Sequence, residues 1–236
     1  MAKIKALAFD VGGSVFDWKG ATTPVIAQIA ANHGVALDAE EFAMNWRLEM
    51  FLTLGRLHKG EIEHCNMDVM LRIGLDNLLE RHPEFNPTEA EIADLMRCWH
   101  RMDCWDEFKI AIERMKTKYT VAILSVLSFS ILVDSSKYAG LAWDAIISCE
   151  FLSCYKQKPE AYTEGAALLG LKPEEICFVA VHPSDILSAK KTGMRTAYVA
   201  PKADEPDVPG LVMPYDPNDY DFNAETYLEL CDQLGC

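Results

Sequence analysis

Short apolar runs at residues 4–9, 121–124, 145–147, 176–181 and 196–199 constrain the fold of this chain more than any other feature. Each has the length of a strand, and most are rich in Val and Ile, as in strands covered on both faces. Between the later runs the spacing becomes helical. Trp105, Phe108, Ile112 and Met115 recur at 3-4-3 intervals, and Tyr162, Ala166 and Leu169 share a face behind Pro159, a good first helical residue. Gly193 suits the end of a helix that begins near Ser184. Strand and helix in alternation predict an α/β fold, a doubly wound parallel sheet of Rossmann-like type.

The interval 22–102 breaks this rhythm, because it offers helices only. Asp38 with Glu41, and Thr88 with Glu91, have the spacing of capping boxes, while Gly34 and "HPEFNP" separate helices. The expected organisation is an α/β core of residues 1–17 and 103–236 with a helical cap, 18–102, inserted after the first strand. Ligands of such sheets bind beyond the C-terminal strand ends, and this cap would cover that edge. Residues 201–220, with "DEPDVPG" and "YDPNDYDF", read as an irregular acidic loop before a final helix.

With 22 basic and 36 acidic side chains, the net charge is −14. Such a chain repels nucleic acid and anionic membrane surfaces, so neither is expected as a partner. No stretch approaches the roughly 20 apolar residues of a membrane span, and "MAKIKALAFD" is too short before its Asp to be a secretory signal. The eight cysteines form neither a C-x-x-C pair nor a zinc-type spacing with histidine. They read as reduced thiols of a cytoplasmic protein.

The parallel sheet would bring the polar residues at its strand ends to one edge. In chain order these are Asp10, Ser125, Lys156 and Asp185. Each has an ordinary explanation when taken alone: Asp10 as a turn residue, Ser125 as a capping hydroxyl, Lys156 as a solvated charge, Asp185 as a helix N-terminal carboxylate. Together, Asp, Ser, Lys and Asp in this order resemble the motif series of the haloacid dehalogenase-like hydrolases. Within them the chain is most similar to the type II 2-haloacid dehalogenases. "FDVGGSVFDW" resembles their opening motif, "NWRLEMF" their Trp-Arg cap helix, "YKQKPEAY" their Lys-containing motif, and "VAVHPSDILSAKKTGMRTAYV" their last motif and strand.

The resemblance implies nucleophilic catalysis by a carboxylate: Asp10 displaces halide from a small 2-haloacid, and water hydrolyses the ester. Lys156 would keep Asp10 ionised, Ser14 would hydrogen-bond nearby, and Asp185 would position or activate the water, a role His182 could share. Ser125 and the amides after it would hold the substrate carboxylate, with Val11, Gly12, Val126 and Tyr162 around it. Arg47 interrupts the apolar stripe of Ala43, Met50 and Leu54. It is either a snorkelling side chain or a cation for the halide or the carboxylate. No metal or other cofactor is implied, and a homodimer is expected only because such dehalogenases usually dimerise.

Departures from the pattern sharpen this reading. The phosphatase branch needs an acid where Gly12 stands and a magnesium ligand where Val181 stands, so phosphoryl transfer is disfavoured. Dehalogenases usually carry an aromatic residue at the position of Gly12, Asn at that of Val126, and often Ser and Asn at those of Ala180 and His182. The pocket is therefore altered. A non-halide leaving group on a small carboxylic acid, or a catalytically silent carboxylate binder, are the other readings.

Overall fold

The computed structural model describes residues 2–202 and 215–236. Six strands form one parallel sheet in the order β3-β2-β1-β4-β5-β6. They are β1 (Ala6–Phe9), β2 (Thr120–Ser125), β3 (Ala145–Ser148), β4 (Ile176–Ala180), β5 (Arg195–Val199) and β6 (Phe222–Ala224). All five expected strands are present. The sixth was not expected: it is three residues long, sits at the sheet edge and carries no apolar run, so nothing in its pattern separates it from a loop. Most of the acidic loop expected at 201–220 lies outside the described residues.

Four helices, α1 (Trp18–Asn32), α2 (Ala39–His58), α3 (Met67–Arg81) and α4 (Glu89–Cys98), fill the interval without strands. Five more belong to the sheet: α5 (Asp106–Lys116), α6 (Phe129–Ala139), α7 (Pro159–Leu168), α8 (Pro183–Lys190) and α9 (Tyr227–Leu234). The reciprocal capping box forms at Thr88 and Glu91. At α2, Asp38 caps through the amides of Glu40 and Glu41. Pro159 opens α7 as its first residue, and α8 stops before Gly193, whose φ of 94° suits glycine.

Successive strand side chains alternate between sheet faces, which fixes what covers each one. Phe9 packs edge-on against Phe108 of α5, at 5.4 Å, and lies 6.2 Å from Tyr227 of α9. Ala8, in register with Ala122 and Phe178, faces the other way. On that side Tyr162 of α7 meets Phe178 edge-on at 5.5 Å. Gly165 lets α7 approach, since a Cβ there would lie 3.0 Å from Leu124. The chain leaves and re-enters the sheet layer along adjacent paths. Asp17 N–H donates to Asp103 O at 2.9 Å, and Trp105 N–H to Val15 O at 3.2 Å. His100, 2.8 Å from both Asp68 of α3 and Asp134 of α6, ties α3 to the sheet layer.

Among the described residues, no helix is long and apolar enough to cross a membrane. The eight cysteines are free thiols.

Candidate active site

Asp10 follows β1 directly and keeps its place by continuing the ladder, its N–H donating to Val179 O at 3.0 Å. The chain then turns sharply. Gly13, at φ 84°, donates to Phe16 O at 3.0 Å, a backbone that a Cβ would strain. This turn folds Ser14 back so that its hydroxyl donates to Asp10 Oδ2 at 2.9 Å while accepting Val181 N–H at 3.2 Å.

Lys156 arrives from the loop after β3, and Asp185 from the first turn of α8. The ammonium is buried and bridges both acids, 2.9 Å from Asp10 Oδ1 and 2.7 Å from Asp185 Oδ2. Such an arrangement separates the two carboxyls. Burial alone would raise Asp10, but Lys156 and His182 outweigh it and hold this carboxyl well below the ordinary carboxylate range. Asp185 is instead pushed up, by burial first and then by the Asp10 charge, with Lys156 only partly offsetting them. Burial works against the charge on Lys156, yet the two carboxylates more than compensate and keep it firmly protonated. The cluster therefore favours the ionised form of Asp10 and eases proton uptake by Asp185.

A third group touches Asp10. His182 Nδ1 lies 3.4 Å from Asp10 Oδ2, and its Nε2 lies 3.3 Å from Arg47 Nη2. Arginine can only donate, so Nε2 accepts and Nδ1 carries the proton that faces Asp10. Arg47, 5% exposed, reaches from α2 across the strand ends. Its guanidinium lies 4.5 Å from the Trp18 ring centre and 5.5 Å from that of Phe51, and it donates to Gly12 O at 3.5 Å. Trp18 in turn stacks on Trp99, centres 5.9 Å apart. Aromatic faces stabilise a desolvated cation at this position.

These groups open onto a cavity of about 530 Å³. Asp10, Lys156, Asp185, His182, Arg47 and Ser125 line it, as do Gly12 and Val126. Ser125, at the end of β2, accepts Leu127 N–H at 3.2 Å in a tight turn. Two expected pocket residues stand elsewhere. Val11 is fully buried and outside the cavity wall, because the turn after Asp10 points its side chain into the core. Tyr162 also lies outside the wall: α7 places it behind Asp185, where its hydroxyl donates to Oδ1.

No sequence pattern singles out Trp18, Trp99 or Phe51 as partners of Arg47. An Arg on an apolar stripe signals a need for partners, but Trp99 lies 81 positions from Trp18, and only the fold brings them together. Among the described residues, no group of three or more His, Cys, Asp or Glu is placed to hold a metal ion.

No protein-family model matches the chain. It is 25% identical over 210 residues to (S)-2-haloacid dehalogenase 4A of Burkholderia cepacia, a match covering 86% of each chain. The crystal structure of an L-2-haloacid dehalogenase superposes with a TM-score of 0.88 at 25% identity, over 98% of this chain and 99% of that one. That of a defluorinating L-2-haloacid dehalogenase superposes equally well, with a TM-score of 0.88 at 30% identity over 99% of this chain and 96% of that one. With that identity over almost its whole length, and with the fold in common, the chain belongs to the L-2-haloacid dehalogenase family of the haloacid dehalogenase-like hydrolases.

Proposed function

We propose that this protein hydrolyses the carbon–halogen bond of a 2-haloacid through an ester on Asp10. The observation that carries the proposal is the Lys156 bridge, which sets an ionised Asp10 beside a proton-accepting Asp185 under a buried Arg47. An Asp10 oxygen attacks C2, the C–X bond breaks with its electron pair going to the halide, and Arg47 takes up the developing negative charge. Ser125 and the backbone after it orient the substrate carboxylate. Asp185 then accepts a proton from water, which attacks the Asp10 carbonyl carbon. The adduct then collapses by breaking the bond between the Asp10 carbonyl carbon and the ester oxygen. Asp185 returns its proton to that departing oxygen, releasing the 2-hydroxyacid, and the second water proton passes to solvent as the Asp10 carboxylate is restored. Lys156 and Ser14 stabilise the oxyanion of that step. His182 holds Asp10 in the attacking orientation, and Tyr162 positions Asp185. Residues 18–102 serve as the cap that excludes water, hinged at the paired connections near 17 and 103.

The relatives act on (S)-acids by name. Chloride release from (S)-2-chloropropionate is therefore expected, and none from Asp10→Asn. Absence of release by the native protein, or undiminished release by Asp10→Asn, contradicts the proposal.

The pH profile adds a finer test. Turnover needs Asp185 ionised, so activity rises with pH through the raised Asp185 value. The Tyr162 hydroxyl donates to Asp185 and opposes that rise. Tyr162→Phe should therefore move the acidic limb of kcat to higher pH, with KM little changed. An unmoved limb would remove Tyr162 from this role.

A further inference from the structure

The cavity is far larger than a two- or three-carbon acid requires, and its far end is chemically different from its base. On α2 the residues Arg47, Met50, Leu54, Gly55 and His58 all line it, at intervals i, i+3, i+7, i+8 and i+11. Eleven residues at about 1.5 Å each set the backbones of Arg47 and His58 roughly 16 Å apart along the helix, a span that includes the lengths of the side chains lining the cavity. Along α2 the lining between Arg47 and His58 is apolar, formed by Met50 and Leu54. Gly55 keeps this trough open, since a Cβ there meets no atom within 4 Å. The outer end is cationic: Lys59 and Lys158, both exposed, line it beside His58. The Nε2 of His58 is buried with no hydrogen-bond partner among the described residues. Lys158 is close enough to His58 to add to burial in lowering its pKa. Among the described residues, the carboxylates on the lining are Asp10 and Asp185, at the opposite end. In a protein of net charge −14, two lysines with no acid beside them among the described lining residues are a local departure that favours an anion.

We propose that this trough is a second binding subsite, which takes a 2-haloacid with an apolar tail ending in a second anionic group. The inference rests on the dehalogenase reading for the reaction at C2. The chain of the substrate lies along α2 with its C2 at Asp10, and its far carboxylate meets Lys59 and Lys158.

The test compares (S)-2-bromopropionate, 2-bromooctanoate and 2-bromooctanedioate by bromide release. It is paired with calorimetric binding of unreactive octanedioate and octanoate. The native protein should prefer the eight-carbon diacid to the eight-carbon monoacid in kcat/KM by about tenfold, the scale expected of two rim ion pairs. Lys59→Met/Lys158→Met should erase that preference and weaken octanedioate binding by a similar factor, while octanoate binding stays put. Gly55→Phe, which fills the trough, should cut turnover of both eight-carbon acids tenfold or more relative to bromopropionate.

Equal turnover of diacid and monoacid by the native protein overturns the subsite. So does an equal loss on all three acids in the double variant, which would show electrostatic steering alone. If no bromoacid is turned over yet octanedioate binds in a lysine-dependent way, the subsite stands and the dehalogenase reading falls.

Discussion

Lys156→Met is expected to abolish halide release and to destabilise the protein by about 3–5 kcal/mol, the range for removing one partner of a buried charge cluster. Lys156 is the common counter-ion of Asp10 and Asp185, at 2.9 and 2.7 Å. Without it, two buried carboxyls share a site in which burial disfavours the charge on each. One of them must then take up a proton. His182 still contacts Asp10, so proton uptake should fall mainly on Asp185, whose value is already raised. In the proposed reaction both steps suffer: Asp10 loses the cation that favours its charge, and a protonated Asp185 would not activate water. The Asp10 value is lowered in the folded protein, so its contribution to stability is present above the ordinary carboxylate value of 3.8 and is lost as pH falls through the folded value. In the variant that contribution shrinks, and acid unfolding should begin at higher pH. Urea unfolding across pH, alongside halide release, measures both effects. Native-like stability in Lys156→Met would contradict the bridging role.

Arg47→Met should lower kcat/KM by roughly 10²–10³, as expected for losing a cation aimed at developing charge in a dry site. Methionine keeps most of the stem volume, so the packing of α2 changes little. The loss should grow as the leaving group becomes poorer: smallest for bromide, larger for chloride, largest for fluoride. An Arg that only oriented the substrate carboxylate would give the same loss for every halide. A uniform loss would therefore move Arg47 from the leaving group to the carboxylate. Trp18→Phe offers a milder companion, since it narrows the aromatic face 4.5 Å from the guanidinium while leaving the charge in place.

Much of this geometry is legible in the residues because β-sheet topology is local information repeated. Asp10, Ser125, Lys156 and Asp185 each stand at or just after the end of an apolar run, and parallel pairing carries all four to one edge. Arg47 is conspicuous as the one charge on an apolar stripe of α2. Side-chain direction was harder to read. Val11 is adjacent to the nucleophile yet turns into the core, and Tyr162 reaches Asp185 from behind rather than facing the cavity. Adjacency in sequence does not settle which way a side chain points across a turn. The aromatic shelf under Arg47 joins residues from α1 and from the end of α4, and no short-range pattern links them. In the sequence, Gly12 stands where an aromatic wall is expected. In the fold, Trp18 and Phe51 supply aromatic surface at Arg47, and a Cβ on Gly12 would make only ordinary contact with Leu127, at 3.7 Å.

In the proposed reaction the first oxygen delivered to product comes from Asp10 and not from solvent. A single turnover in ¹⁸O-water, with enzyme in excess over (S)-2-chloropropionate, tests it directly by mass spectrometry of both protein and product. Ester chemistry predicts ¹⁸O in the peptide carrying Asp10 and an unlabelled hydroxyl in the first lactate released. Label in that lactate, with Asp10 unlabelled, would mean that water attacks C2 itself, and would contradict the account.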